Sequence, residues 1–456
     1  MAPFRQDSYF LIYPRSQNAL VQFGMREETF YPPQLEIPAV VYRTPDGLYT
    51  SKSDSGNVRI NPLVDGRIVD LDGFLFFVKL IYKSYLAQRS RNGASPEVFD
   101  MELSNIPMLM LSHSSWTHHQ LETITQFVFE QLQINNFMFL PSALASSYAL
   151  GSLQNCMVID IHTNATDVTP ILDYIQLGHL AAKVQHGGSQ IDQELAKLLP
   201  QWTPEQIEDL KKSSIFEILS EDAKKSSSLN FKHGEDEGTL DVAALVTSDR
   251  DTREILEERE KNKEKHNVEN SEQENNVFVD RHGKQIIVGK QRFKGCESLI
   301  AEISKTVGRV LSQIDDFHKL RAMWENILVV GGTTTISGFK EALLQRLMED
   351  HLVGEPAHEK DIREREHSAQ NPLKKKAKIA NSFLNSVDYV QIPTAISLAK
   401  YPEYFPEWKK HGYAEVPFLG AQIVAKQAFG HTNESFYVTR EKYEKKGPSI
   451  IWDVAF

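Results

Sequence analysis

The stretch NILVVGGTT at residues 326–334, followed by Gly338, says more about the fold than any other part of the sequence. It begins with a short run of apolar residues, which is typical of a strand buried on both faces. The two glycines that follow permit a tight turn and a close approach of other backbone. The stretch therefore predicts a core strand that ends in a tight turn into a helix. A Gly-Gly pair on its own is a weak signal.

The first half of the chain consists of strand-like and helix-like segments in alternation. Apolar strand-like runs lie at 9–13, 19–24, 107–111, 157–161 and 167–174. Apolar residues recur at helical spacing in 71–86 and 121–132. Strands that alternate with helices predict an α/β fold.

The composition is that of an ordinary globular protein, with 41% hydrophobic and 24% charged residues among 456. A chain of this length can bury more than one core, so two lobes are expected. We expect neither secretion nor a membrane partner, because residues 1–7 lack signal-peptide features and no apolar run could cross a bilayer. Two cysteines, Cys156 and Cys296, indicate a reducing compartment. The net charge of −11 argues against nucleic-acid binding over the whole surface.

Two polar segments interrupt the alternation. Residues 232–276 are acidic and then densely mixed in charge, and residues 355–385 contain the cluster Lys374–Lys378. Segments with so few apolar residues bury too little surface to order themselves, so both are predicted to be mobile insertions. The lysine cluster has two interpretations, a nuclear-import patch or a solvated part of the insertion.

Several motifs, taken together and in order, resemble the actin family. They are the stretch at 326–338, GKQIIVGKQRF at 283–293, NPLVDGRIVD at 61–70, Gly187-Gly188, FLGAQIV at 418–424, YVTREKY at 437–443 and GPSII at 447–451. The resemblance implies the α/β fold shared by actin, sugar kinases and Hsp70, with two lobes (four subdomains) around a central cleft. The first lobe would comprise 1–150 and 400–456, with a small upper subdomain at 31–60, and the second lobe 151–399.

An actin-type ATPase binds its nucleotide with two hairpins, whose glycine-rich turns point backbone N–H groups at the phosphates. The first turn here, RSQNA at 15–19, contains no glycine. According to the resemblance, Arg15 stands where the family has an aspartate, and Gln22 stands where the family has a phosphate-binding lysine. We expect the charge of Arg15 to repel a divalent cation.

The second turn retains its first aspartate, Asp160, but replaces both glycines, with His162 and Asn164. Their Cβ atoms are expected to crowd the phosphates. Ser142 occupies the position of the glutamine that orients the attacking water in actin. Losing a group that positions a reactant costs orders of magnitude in rate, so we expect no catalytic residue and no hydrolysis.

A vestigial nucleotide pocket remains where residues still match the family. Its members are Asp160, Gly188, Lys211, Gly331, Gly332 and Thr333, whereas Lys212 replaces a ribose-binding carboxylate. We expect no metal and no cofactor, with bound ATP that is not turned over as the alternative. If no nucleotide binds, the glycines only form the tight turn of a packed core.

The resemblance also implies a groove between the two lower subdomains that accepts amphipathic helices. Its predicted lining is Tyr148, Gly151, Ile175, Leu419, Ile423, Val424 and Phe429. Each of these residues has an equally supported alternative interpretation, as an ordinary core residue. Gln427 replaces an apolar family residue, which predicts a groove of altered specificity.

Three histidines, His113, His118 and His119, follow the strand at 107–111. Clustered histidines are typical of metal sites. No cysteine or carboxylate is placed to complete such a site here, so the predicted structure is a solvated loop.

Further motifs are similar to the nuclear actin-related proteins of fungal chromatin remodellers. They are MAPFRQDS at 1–8, YPRSQ at 13–17, LQNC at 153–156 and KYPEYFPEWKK at 400–410, the last without a counterpart in actin. This resemblance implies a non-catalytic subunit of the SWI/SNF and RSC complexes in the nucleus. It would pair with a second actin-related protein and bind the helicase-SANT-associated helix of the motor ATPase. A small regulatory subunit would bind the pair, and nucleosomal DNA would be met only indirectly.

Two other classes of protein stay open. One is an actin-like ATPase that binds or weakly hydrolyses ATP, and the other is a cytoskeletal capping subunit. The fold alone does not decide, because one fold hosts many functions.

Overall fold

The structure is a computed structural model. It describes residues 9–25, 30–90, 106–219, 270–353, 392–413, 415–430 and 435–454. Most of the two predicted insertions, including Lys374–Lys378, lies outside the described residues. Within those residues, no helix is both long enough and apolar enough to cross a membrane.

The described strands alternate with helices between residues 71 and 161, as predicted, whereas eight strands precede the first helix. In chain order, the described strands are β1 (Phe10–Pro14), β2 (Asn18–Phe23), β3 (Leu35–Pro38), β4 (Val41–Arg43), β5 (Tyr49–Thr50), β6 (Val58–Ile60), β7 (Leu63–Val64), β8 (Arg67–Ile68), β9 (Pro107–Ser112), β10 (Asn136–Pro141), β11 (Cys156–Ile161), β12 (Thr166–Leu172), β13 (Ile175–Gln176), β14 (Ala182–Val184), β15 (Asn276–Val279), β16 (Gln285–Val288), β17 (Ile327–Val330) and β18 (Val438–Thr439).

The described helices include both segments predicted from apolar periodicity. They are α1 (Leu71–Ser90), α2 (His118–Glu130), α3 (Ser142–Ala149), α4 (Gly188–Leu198), α5 (Pro204–Lys212), α6 (Glu297–Leu311), α7 (Phe317–Glu325), α8 (Phe339–His351), α9 (Pro406–Lys410), α10 (Val416–Gly430) and α11 (Arg440–Lys446). Short 3-10 helices cover Asn270–Glu272, Lys290–Phe293, Gly332–Thr335 and Gly447–Asp453.

The chain forms two compact units. The large unit comprises Met1–Gly188, Glu302–Thr335 and Leu347–Phe456, and the small unit comprises Ser189–Ala301 and Ile336–Arg346. These boundaries differ from those of the predicted lobes, because β11, β12 and β17 pack with the N-terminal segments in the large unit.

The large unit contains two main sheets, and two smaller ones with the orders β5-β4-β6 and β7-β8. The first has the strand order β18-β10-β9-β1-β2-β3, with β9 parallel to both β1 and β10. The second has the order β13-β12-β11-β17, with β14 also paired to β12. Because β11 and β17 are parallel and Asp160 lies beside Val330, the turns that follow these two strands lie at one sheet edge.

Alternate side chains of the first sheet belong to two different cores. Leu11 and Leu109 pack with α3 and α10, which the second sheet covers through residues such as Val158. Phe10 and Met108 point the other way and pack with α1 and α2. The sheet is therefore buried on both faces, which explains the fully apolar runs in its strands.

The helices α3 and α10 cross so closely that one glycine is required. A Cβ atom on Gly420 would lie 1.7 Å from the carbonyl oxygen of Ala145. This contact explains the small residues of the FLGAQIV motif, and it makes α10 a helix that is buried on nearly all sides.

The prediction of a mobile insertion at 232–276 is wrong for its last seven residues. Asn270–Glu272 is a 3-10 helix, and Asn276 begins β15. The side chain of Asn270 donates to the Ile215 carbonyl and accepts from Arg292 Nε at 3.0 Å. A polar segment is ordered here because its amides and carbonyls bond to a buried arginine, which composition does not reveal.

Candidate functional site

The first hairpin turn, between β1 and β2, carries an ion pair where the actin family binds phosphate. The backbone N–H of Arg15 donates to the carbonyl of Asn18 at 2.8 Å and closes the turn. Arg15 Nη1 lies 2.6 Å from both carboxylate oxygens of Glu415, which precedes α10. The charge of Arg15 is therefore opposed by a carboxylate of the same unit.

Gln22 is directed into the core of the large unit. Its side chain is buried, donates to the carbonyl of Gly24 at 2.9 Å and accepts a hydrogen bond from Gln422. Gln22 is therefore occupied by protein partners at the position where the resemblance implies a phosphate-binding lysine.

The second hairpin turn joins β11 to β12 and places one imidazole between two carboxylates. Asp160 and Asp167 face each other across the two strands. His162 Nε2 lies 3.2 Å from Asp167 Oδ2 and 3.7 Å from Asp160 Oδ2. Lys183, on β14, adds a second cation 3.8 Å from Asp167 Oδ1.

The environment of His162 favours its charged form. Burial alone would lower the pKa of the imidazole, but the carboxylates of Asp160 and Asp167 outweigh it and raise that pKa to about 8. Burial also raises the pKa of the Asp160 carboxyl, against the opposing effect of His162. For Asp167 the hydrogen bond from His162 and the charge of Lys183 overcome burial, so its pKa is lowered. At neutral pH we therefore describe the pair of His162 and Asp167 as ionised.

We call six of these side chains the charge network: Arg15, Glu415, Asp160, His162, Asp167 and Lys183. Three are cationic and three are acidic, and all belong to the large unit. The network thus contains its own counterions. Among the described residues, no group of three or more His, Cys, Asp or Glu side chains is arranged to hold a metal.

The prediction of a solvated loop is wrong in a different respect for His113 than for His118 and His119. His113 is buried, and its Nε2 donates to the carbonyl of Pro14 at 2.9 Å. Burial and the neighbouring charge of His162, whose ring centroid is 5.8 Å away, lower the pKa of His113 to about 4. His118 and His119 are exposed, as predicted, but they begin helix α2 and do not lie in a loop. A neutral imidazole therefore lies against the charge network.

Substituted residues in both hairpin turns bond to a third turn, Asp65–Gly66, between β7 and β8. The hydroxyl oxygen of Ser16 accepts from the N–H of Gly66 at 3.0 Å. The amide of Asn164 donates to Asp65 Oδ1 at 3.0 Å, and the ammonium of Lys183 donates to the carbonyl of Asp65. The two hairpins are thus connected through protein hydrogen bonds alone.

The glycines that follow β17 are explained by packing. Gly331 has a φ of 103°, and a Cβ there would lie 2.3 Å from the carbonyl oxygen of Ile161. Gly338 has a φ of 77°, and its Cβ would lie 2.2 Å from the carbonyl oxygen of Ile218. Gly332, by contrast, faces open space. Two of these glycines are therefore required by backbone contacts, whether or not a nucleotide binds.

The other members of the predicted vestigial pocket lie in different surroundings. Thr333 is half-buried in the 3-10 helix after β17, and the N–H of Gly188 donates to the His162 carbonyl at 2.9 Å. Lys211 belongs to the small unit, where its Nζ lies 2.6 Å from Asp192 Oδ1. Ser142 is buried at the start of α3.

The predicted groove residues separate into two sets. Leu419 and Phe429 are completely buried, and Val424 is 7% exposed, so their alternative interpretation as core residues is the right one. The reason is that α10 is buried between two sheets, so helical spacing does not separate its surface from its core. The other members retain exposure: Tyr148 and Ile423 are half-buried, and Gly151 and Ile175 are exposed.

One aromatic residue beside this surface, Tyr174, was not predicted from the sequence. Tyr174 is 38% exposed, and its ring stacks on Tyr148 with centroids 6.4 Å apart. It lies with Asp173 in a two-residue turn between β12 and β13, and both residues have positive φ. The sequence did contain a signal for this turn. Two apolar runs lie close together on either side of Asp173, which is typical of a tight hairpin.

Residues 46–389, which make up more than half of the chain, match the family described as Actin. The chain therefore belongs to the actin family, and the predicted fold class is confirmed.

Individual relatives point to the actin-related branch of that family. The SWI/SNF and RSC complexes subunit arp9 of Schizosaccharomyces pombe is 28% identical over 437 residues, covering 86% of this chain and 78% of the relative. Actin-related protein 7 of Arabidopsis thaliana is 24% identical over 340 residues, covering 72% and 70%. Actin-related protein 4 of Yarrowia lipolytica is 26% identical over 141 residues, covering 31% and 29%. These similarities confirm the resemblance to actin-related proteins.

Proposed function

We propose that this chain is a non-catalytic, structural subunit of a SWI/SNF-type chromatin-remodelling complex in the nucleus. The observation that supports a non-catalytic role is the charge network, which fills the phosphate side of the family's site with protein ion pairs. The observation that supports the complex is the similarity to a relative named as a subunit of SWI/SNF and RSC.

The charge network disfavours a bound cation for an electrostatic reason. A divalent ion at Asp160 would have to displace His162, and removing one partner of a buried ion pair costs about 3–5 kcal/mol. In the turn that begins at Arg15, the guanidinium would repel a cation. The carboxylate of Glu415 is already paired with Arg15. Neither hairpin turn keeps the glycines that would let phosphate approach its N–H groups.

The structural role follows from what the hairpins now do. The Asp65–Gly66 turn donates a hydrogen bond to Ser16 and accepts hydrogen bonds from Asn164 and Lys183, and these bonds tie both hairpins together without a ligand. A subunit held in one conformation can serve as a rigid support for partners. We propose that the chain pairs with a second actin-related protein and supports the helicase-SANT-associated helix of the motor ATPase. A small regulatory subunit binds this pair, and nucleosomal DNA is reached only through partners.

A binding experiment tests this proposal. The chain is mixed with the second actin-related protein and a synthetic segment carrying the ATPase helix, and complex mass is measured in solution. We expect a stoichiometric ternary complex, and sedimentation with actin filaments instead would favour the capping alternative. Failure to form any complex would overturn the proposal.

A pair of surface variants locates the contact. Ile175→Asp adds charge at an exposed residue beside Tyr148, where 57% of Ile175 is accessible, so folding should be retained. We expect it to weaken the complex about tenfold, the cost of burying an unpaired charge. The control, Val58→Asp, changes a residue of similar exposure, 64%, on β6 and should leave the affinity unchanged. Equal effects would place the contact elsewhere.

A further inference from the structure

A groove lies between strand β14 and helix α6 in the large unit. It has a volume of about 410 Å³, within the range of sites that hold small ligands or a few side chains. Its lining consists of Val184 and six residues with polar side chains: Gln185, His186, Glu302, Lys305, Thr306 and Arg309. None of these side chains belongs to the charge network.

The helix wall of this groove presents two cations on one face. Lys305 and Arg309 are four residues apart on α6, and both are exposed. Neither enters an ion pair within the part of the chain that the structure describes. The single carboxylate of the wall, Glu302, instead lies 3.8 Å from His186 Nε2. In a chain of net charge −11 this wall is a local positive exception.

The strand wall favours an extended occupant. Among the described strands only β12 pairs with β14, so the other edge of β14 has no strand partner among them. The side chain of Gln185, which follows β14, is exposed and adds a hydrogen-bond donor and acceptor. Strand addition at such an edge is a common way in which domains bind peptide segments.

We infer that this groove binds an acidic, extended segment of a partner protein. Side chains at i and i+4 of a helix have Cβ atoms about 5–6 Å apart. Alternate side chains of an extended strand lie about 6.7 Å apart, so two carboxylates at i and i+2 match Lys305 and Arg309. A segment without these carboxylates would meet the negative charge of the chain and no compensating attraction.

The experiment measures binding of a fluorescent peptide of alternating glutamate and valine to the full-length chain by anisotropy. The double variant Lys305→Glu/Arg309→Glu is expected to lose at least tenfold in affinity. The matched control, Lys79→Glu/Lys83→Glu, makes the same charge change at the same spacing on α1 and should stay within twofold. Circular dichroism and the melting temperature check that both variants fold.

Three outcomes would overturn the inference. The peptide could fail to bind the unmodified chain at millimolar concentration, or both double variants could lose affinity equally. The third is that an oligothymidylate of similar length binds more tightly than the peptide and loses that binding only in Lys305→Glu/Arg309→Glu. This last result would show that the groove binds phosphates and not carboxylates.

Discussion

The turn after β11 and the turn after β17 follow neighbouring parallel strands, yet they relate to the actin family in opposite ways. The β17 turn keeps Gly331, whose missing side chain makes room for the carbonyl of Ile161. The β11 turn has lost its glycines, and His162 instead lies between two carboxylates. A retained glycine motif can therefore reflect packing alone. The turn after β11, whose side chains have changed, says more about function.

The largest effect is expected at the retained turn. Gly331→Ala combines a Cβ only 2.3 Å from a backbone oxygen with a φ of 103°, so it should lower the free energy of unfolding by about 4 kcal/mol. Gly332→Ala, in the same turn, meets nothing within 4 Å and should change it by about 0.5 kcal/mol or less. Urea denaturation of both variants checks this, and equal effects would refute the packing explanation.

The next largest loss of stability is expected for Asp167→Ala, beside the turn between β11 and β12. It leaves His162 and Lys183 without their shared carboxylate, which should cost about 3 kcal/mol in unfolding free energy. Glu441→Ala removes an exposed carboxylate that pairs with Lys445, and it should have little effect because solvent screens that pair. Similar losses in both variants would mean that the charge network adds nothing beyond ordinary surface pairs.

The charge network also predicts a pH dependence of stability. The pKa of His162 is raised from 6.5 to about 8 in the folded chain, so folding is favoured by proton binding between these values. This contribution, about 2 kcal/mol, is complete below about pH 6.5 and is lost as the pH rises through about 8.

Thermal unfolding of the unmodified chain and of His162→Gln should therefore differ most near pH 6.5 and least near pH 9. His113 has the opposite sign, because its pKa is lowered to about 4, so it destabilises the fold as the pH falls below 6.5. The comparison is thus best made above pH 6.5. A difference in melting temperature between the two proteins that does not shrink with rising pH would contradict an ionised pair of His162 and Asp167.

The smallest effect concerns the link between the hairpins. Asn164→Ala removes the hydrogen bond to Asp65 and should cost about 1 kcal/mol. Thr163→Ala, at the exposed neighbouring position, is the control and should be nearly neutral. Urea midpoints that coincide for the two variants would show that this bond does not stabilise the turn.

The sequence was sufficient for the elements with strong periodicity. The strand and turn at 326–334, the hairpin of β11 and β12, and the helix α1 were all predicted, because apolar runs and glycines report local structure directly. The loss of glycine from both hairpin turns was also visible in the residues.

What escaped prediction depends on contacts between distant segments. His113 is buried because Pro14, on a neighbouring strand, provides an acceptor. Leu419 and Ile423 lie one helical turn apart, yet only Leu419 is completely buried. The ion pair of Arg15 and Glu415 joins residues four hundred positions apart, and no spacing rule reveals such a partner. Tertiary packing decided each of these cases.

If protein ion pairs have replaced nucleotide and cation, the melting temperature should be the same with and without millimolar Mg·ATP. A ligand at a hundred times its Kd adds about 2.7 kcal/mol to stability, which raises Tm by a few degrees. We expect no shift and no release of phosphate above a heat-inactivated control. A saturable rise in Tm that requires Mg²⁺ would contradict the account.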